Sequence, residues 1–138
     1  VANLLIHVEQ HDVVGVLPSQ LESLALLATA MGVGRTAFVD ATSDGVRRSA
    51  GFERYASLEA WLDQVEGPII AFTPDGETDI RELRVSDDAW LVFGPSMGLR
   101  RDALGDRVDC WASVPGGVLN SRDAAVIAVW EVSSWRAP

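Results

Sequence analysis

Phe93-Gly94-Pro95-Ser96-Met97-Gly98-Leu99 follows the apolar run Ala89-Trp90-Leu91-Val92. A short apolar run closed by Gly-Pro reads as a buried strand, and two glycines with a proline directly after it let backbone groups approach a ligand closely. The same pattern recurs further along the chain. Val108 to Val114 reads as a strand, and Pro115-Gly116-Gly117-Val118-Leu119-Asn120-Ser121 joins it to a helix from Ser121 to about Trp135. That helix is apolar on most sides, which marks burial against more than one neighbour. Each glycine-bearing junction has two readings, a plain strand-to-helix turn or a place where a ligand meets exposed backbone N–H groups.

Outward from these junctions the chain alternates strand and helix. Asn3 to Val8, Thr36 to Val39 and Ile69 to Phe72 are short apolar runs of strand type. Ser19-Gln20-Leu21-Glu22 forms a capping box, in which the serine hydroxyl accepts an early backbone N–H and the glutamate reaches back. The helix it opens carries Leu21, Leu24, Ala25, Ala28 and Met31 on one stripe and stops at Met31 or Gly32. Ser57 caps a helix over Leu58 to Val65, Gly67-Pro68 ends it, and short helical segments are expected around Thr78 to Leu83 and Arg100 to Leu104. Five strands alternating with five helical segments define an α/β protein with a parallel sheet. A functional crevice is then expected beyond the carboxyl ends of the strands, near His7 to Gln10, Asp40 to Thr42, Thr73-Pro74, Gly94 to Gly98 and Pro115 to Asn120.

The 138 residues, 48% hydrophobic, suit a single domain spanning residues 1–138. Eleven basic residues, all arginine, face twenty acidic ones for a net charge of −9, which repels polyanions unless the arginines gather on one face or a second subunit completes the site. Four arginines against three acids between Arg35 and Arg54 contrast with six acids against two arginines between Asp75 and Asp88. The acidic stretch lacks the glycine-centred loop of an EF-hand and reads as a solvated face, so no metal is expected. The single cysteine, Cys110, excludes internal disulfides and multi-cysteine zinc patterns and reads as a buried small hydrophobe. No run approaches the roughly 18 apolar residues of a membrane span. With no basic leader before an apolar run, the expected compartment is a reducing cytoplasm. His7 and His11 have no nucleophile and orienting acid placed beside them by spacing, and a catalytic triad is not supported.

Taken together, Phe93-Gly94-Pro95, Gly98-Leu99, Val114-Pro115, Leu119-Asn120 and Ala124-Ala125-Val126-Ile127 resemble the C-terminal half of the SPOUT, or α/β-knot, methyltransferases, closest to the SpoU branch. The pairs Gly32-Val33 and Val39-Asp40 extend the resemblance toward the start of the chain. It implies a five- to six-stranded parallel sheet flanked by helices, with the C-terminal segment Pro115 to Trp135 tucked through a loop as a trefoil knot. The resemblance also implies a homodimer and S-adenosylmethionine held largely by backbone contacts, with methyl transfer to the ribose 2′-oxygen of tRNA or rRNA. Cofactor contacts carried across residue by residue fall on Thr73, Gly94, Val114, Leu119 and Asn120.

The sequence departs from this pattern at positions that matter for catalysis. Gln20 and Leu26 stand where the family carries an asparagine and an arginine in the first helix, Ser96 stands where an acid follows Gly-Pro, and Arg122 occupies a usual serine position. An arginine near the acceptor can offset the charge developing on a hydroxyl oxygen. Arg122, at the start of the last helix, is the preferred catalytic candidate, with Arg35, Arg100 and Arg101 as further ones. The leading expectation is a methyltransferase divergent at its catalytic positions. The second is a catalytically inactive knotted binding or scaffolding protein, and the third is methylation of something other than a large RNA.

Overall fold

A computed structural model describes residues 2–8, 23, 26–40, 52–94, 101–114 and 121–134. Strands β1 (Asn3–Val8), β2 (Thr36–Asp40), β3 (Phe52–Tyr55), β4 (Ile69–Phe72), β5 (Thr78–Asp79), β6 (Trp90–Phe93) and β7 (Cys110–Ser113) form one sheet in the order β3-β2-β1-β6-β4-β7-β5. Every pairing is parallel. Six of these strands have at least four residues, within the expected five to six, and β5 adds a two-residue rung at the edge. The helices are α1 (residues 26–30), α2 (Leu58–Leu62), α3 (Arg101–Leu104) and α4 (Ser121–Ser134).

Strands β1, β2, β4 and β6 read as largely apolar runs because both faces of the sheet are covered there, so alternate residues enter two separate cores. On one face Leu4, Phe38, Ile70, Phe72, Leu91 and Phe93 pack with Ala28 and Val33 at α1 and Ala125, Ala128, Val129 and Val132 of α4. On the other, Leu5, Ala37, Val39, Ile69, Ala71, Trp90 and Val92 pack with Leu58, Trp61 and Leu62 of α2 and Leu104 of α3. Trp61 and Trp90 meet there edge to face with centroids 5.4 Å apart.

Local signals act as the sequence implies. Gly32 ends α1 in the left-handed region (φ 88°), where the Val33 N–H donates to the Ala28 carbonyl at 2.9 Å. Ser57 caps α2, its hydroxyl accepting the Ala60 N–H at 3.1 Å, but that helix ends at Leu62 rather than Val65. The helix expected around Thr78 to Leu83 is corrected: Thr78–Asp79 form β5, and only Ile80–Glu82 turn, as a 3-10 segment capped by the Asp79 carboxylate. Asp79 satisfies the Arg81 N–H at 2.8 Å, which favours one tight turn over a longer helix.

The strand order places the site. In a flavodoxin-type sheet successive strands add outward. Here β6 steps inward to lie between β1 and β4, and β7 returns to the far side of β4. The expected threading of Pro115 to Trp135 depends on residues 95–100 and 115–120, which lie outside the described residues.

Candidate functional site at the carboxyl ends of β6, β4 and β7

Three expected site residues converge because their strands are neighbours. Phe72 is in register with Phe93 on one side and with Ala112 on the other, so Thr73, Gly94 and Val114 all emerge at the same end of the sheet. All three are buried. Beneath them Phe72 and Phe93 stack with centroids 4.6 Å apart and planes 9° from parallel, giving the strand ends an apolar floor.

Thr73 continues the ladder past β4, its N–H donating to the Ala112 carbonyl at 2.9 Å while its own carbonyl accepts the Gly76 N–H at 3.2 Å. The chain thus turns through Thr73-Pro74-Asp75-Gly76 and lies back on β7. Gly76 makes this contact possible, because a Cβ there would strike the Ala112 carbonyl. Thr78 and Asp79 then pair with Ala112 and Ser113, so one segment closes the open edge of β7 beside the site. The backbone groups of Thr73 are satisfied, but its hydroxyl, in a residue only 7% exposed, has no hydrogen-bond partner among the described residues.

Thr73, Gly94 and Val114 carry no titratable group. Their arrangement suits recognition through backbone and one hydroxyl, with an apolar floor to exclude water. Leu119, Asn120 and Ser96 lie outside the described residues, and so do Gln20, Arg100 and His11. Arg122 falls in the first turn of α4 and Arg101 opens α3.

Arg35 is placed differently from its candidacy. It precedes β2, at the amino ends of the parallel strands, and its guanidinium is held there by Glu53 with Nε to Oε2 at 2.7 Å. The same group lies over the Trp90 ring, 5.1 Å from its centroid. Tyr55 donates to Glu53 at 2.9 Å. The Arg35 hydrogen bond holds the Glu53 carboxyl below the usual carboxylate range and Glu53 in turn raises Arg35. This pairing was hidden because β3 itself was not read from the sequence: Phe52-Glu53-Arg54-Tyr55 sets two adjacent charges between two aromatic residues and shows neither an apolar run nor a period-two alternation.

The acidic stretch is largely solvated, with Asp75, Glu77, Glu82, Asp87 and Asp88 exposed. Among the described residues no group of three or more His, Cys, Asp or Glu side chains could hold a metal ion, and no helix is long and apolar enough to cross a membrane. Cys110, expected to be a buried small hydrophobe, is half-buried at the start of β7. It opens with Ile70, Leu83 and Ala89 onto a cleft of about 320 Å³ near the amino ends of β4 and β7.

The fold is that of SpoU-type methyltransferases. The SpoU methyltransferase AviRb from Streptomyces viridochromogenes, in complex with the cofactor AdoMet, superposes with a TM-score of 0.77 at 17% identity, covering 97% of this chain and 60% of that one. The chain thus spans about three fifths of that relative. The A. aeolicus TrmH/SpoU tRNA modifying enzyme gives a TM-score of 0.73 at 17% identity over 99% of this chain and 76% of that one. A structure described by the 2-OH methylation of C/U34 on tRNA gives 0.69 at 21% identity over 95% and 89%. No family model matches the chain, and no curated protein matches it in sequence. The family resemblance carried by the glycine-bearing strand ends therefore holds at the level of fold.

Proposed function

We propose that the chain is a SpoU-like methyltransferase domain that uses S-adenosylmethionine, with RNA as the acceptor class and tRNA or rRNA as the substrates to try first. The observation that carries this reading is the inward step of β6, which brings Thr73, Gly94 and Val114 to one buried edge in a fold shared with AdoMet-bound AviRb. The donor set fits the cofactor: an apolar floor for a planar base, backbone at two strand ends, and one buried hydroxyl without a partner among the described residues. Leu119 and Asn120 complete the proposed contacts. When bound, the cofactor would supply an electrophilic methyl group; the chain's part is to exclude water and orient it. Pro115 to Trp135 is threaded as a trefoil knot in this reading, and residues 1–138 act as one cytoplasmic domain.

The domain works as a homodimer in this proposal. Leu26 and Leu27 on α1 and Ile127 and Trp130 on α4 are exposed, and both helices cover the same face of the sheet. Four large apolar side chains facing solvent on one side of a small domain favour a second copy as cover. Arg122 is assigned the charge that stabilises the reacting oxygen, since Leu26, 71% exposed, offers none.

That exposed leucine also favours the second reading, a fold that binds without catalysing. Calorimetric titration with S-adenosylmethionine and methyl-transfer assays on tRNA and rRNA separate the two. Saturable binding with turnover, lowered about 10²-fold by Arg122→Ala, supports the enzyme. Binding without turnover on any RNA supports the silent module, and no binding at millimolar ligand removes the cofactor from both.

A further inference from the structure

Ile70, Leu83 and Ala89, all buried, form the apolar wall of the cleft of about 320 Å³ near the amino ends of β4 and β7. This is the end of the sheet opposite to Thr73, Gly94 and Val114, so the cleft is separate from the proposed cofactor site. Around the wall stand three charged side chains, Glu82, Arg84 and Asp109. A mostly apolar concavity with a few convergent polar groups is the usual form of a small-molecule site. Asp109 is fastened to the start of β4 twice, its Oδ2 accepting the Ile69 N–H at 2.8 Å and its own N–H donating to the Ile69 carbonyl at 2.9 Å. Its carboxylate is thereby set in place before any ligand arrives. Arg84 is unlike the other arginines whose side chains are described. Arg35 binds Glu53, Arg81 binds Asp79 and Arg107 binds the Leu62 carbonyl, whereas Arg84 has no hydrogen-bond or ion-pair partner among the described residues. In a chain of net charge −9, a guanidinium in that state beside an apolar wall is available to a carboxylate from outside.

We propose that this cleft is a second small-molecule site, which takes a free apolar α-amino acid as its zwitterion. The carboxylate meets Arg84, the ammonium meets Asp109 with Glu82 beside it, and the side chain lies against Ile70, Leu83 and Ala89. Charge decides between ligand classes. A simple anion would face two carboxylates and a simple cation would face the Arg84 guanidinium, whereas a molecule bearing both charges on one carbon complements all three groups. Size agrees, since the cleft has the volume of roughly ten water molecules at about 30 Å³ each, which suits a molecule the size of leucine or phenylalanine.

Cys110, the chain's single cysteine, also borders the cleft and is half-buried, so the rate at which a thiol reagent modifies it reports occupancy. The test follows iodoacetamide labelling of Cys110 and calorimetric binding in parallel. Its probes are L-phenylalanine, N-acetyl-L-phenylalanine without the ammonium, and phenethylamine without the carboxylate. L-phenylalanine is expected to bind saturably with a Kd of about 1 mM or below and to slow labelling about tenfold. Each analogue should bind the parent about tenfold more weakly, the scale of one charged hydrogen bond. Arg84→Ala, at an exposed position, and Asp109→Asn, which keeps an acceptor for the Ile69 N–H, should each weaken L-phenylalanine by a similar factor. Equal affinity for N-acetyl-L-phenylalanine would make this an anion site, and equal affinity for phenethylamine a cation site; either overturns the proposal. Parental affinity in Arg84→Ala overturns it as well, as does calorimetric binding that leaves the labelling rate unchanged. If Cys110 resists labelling in the ligand-free protein, the calorimetric comparison of parent and variants decides alone, and no saturable heat up to about 10 mM L-phenylalanine overturns the proposal. None of these outcomes depends on S-adenosylmethionine, so this proposal and the cofactor reading fail separately.

Discussion

A Cβ on Gly76 would run into the carbonyl of Ala112, and neither backbone can rotate away as a flexible side chain would. Gly76→Ala should therefore cost about 3 kcal/mol, at the upper end for overpacking, and should loosen the turn that carries Thr73. A urea midpoint within experimental error of the parent would show that the turn can lift from β7 freely. Asp79, three residues after Gly76, offers a titration to follow. Hydrogen bonds from the Arg81 guanidinium and backbone N–H hold its carboxyl down at about 2. The folded state thus binds this proton more weakly than the unfolded chain does. Its contribution to stability is complete above the ordinary carboxylate range and is lost as pH falls toward about 2. Because the pair is open to solvent, the effect on stability should be small. Carboxyl chemical shifts should still show a midpoint near 2 for Asp79 in the parent and an ordinary one in Arg81→Ala; an ordinary midpoint in the parent would mean the pair does not persist in solution.

The helices differ in how well they hide their apolar residues. On α2 Leu58, Trp61 and Leu62 are all buried, and Arg107 seals its end by donating to the Leu62 carbonyl at 2.9 Å. By contrast α4 buries Ala125, Ala128, Val129 and Val132 but leaves Ile127 42% and Trp130 50% exposed. An apolar side chain at a dimer seam tolerates no buried, unpaired carboxylate. Ile127→Glu is therefore expected to shift the mass in light scattering from twice 14.9 kDa to that of one chain, at micromolar concentration and with unchanged circular dichroism. A variant still dimeric would place the seam elsewhere, and a parent already monomeric there would overturn the dimer proposal itself. The sequence made α4 visible as a helix apolar on most sides. It could not tell which apolar residues face the sheet, because small alanines take the buried positions and leave larger neighbours outside.

At the scale of the molecule, much of the architecture was legible. The principal strands are buried on both faces, so each announces itself as a continuous apolar run, and the glycine-bearing junctions after β6 and β7 mark the end where the candidate site lies. Two strands were missed for a physical reason. β3 sits at one edge of the sheet with charged Glu53 and Arg54, and β5 is a two-residue rung at the other, so neither carries an apolar run. Strand order was not legible from periodicity either, because a parallel strand reads the same wherever its crossover delivers it. The resemblance supplied the fold instead. At the site, the resemblance pointed to Thr73, Gly94 and Val114, whereas the Thr73 hydroxyl without a partner among the described residues and the contact between Gly76 and Ala112 emerge only once three strands are side by side.

The central place of β1 bears on how the chain emerges during synthesis. One flank of β1 is paired by β2, whose residues follow within one helix, but the other is paired by Trp90–Phe93. At translation rates of about 5–20 residues per second, Leu4 and Leu5 would wait on the order of ten seconds for that neighbour, with a hydrophobic edge open to other nascent chains. The β4 strand must also wait, since β6 has to enter between two strands already made. The middle of the sheet therefore closes only once residue 93 has been made, later than the strands on either side of it.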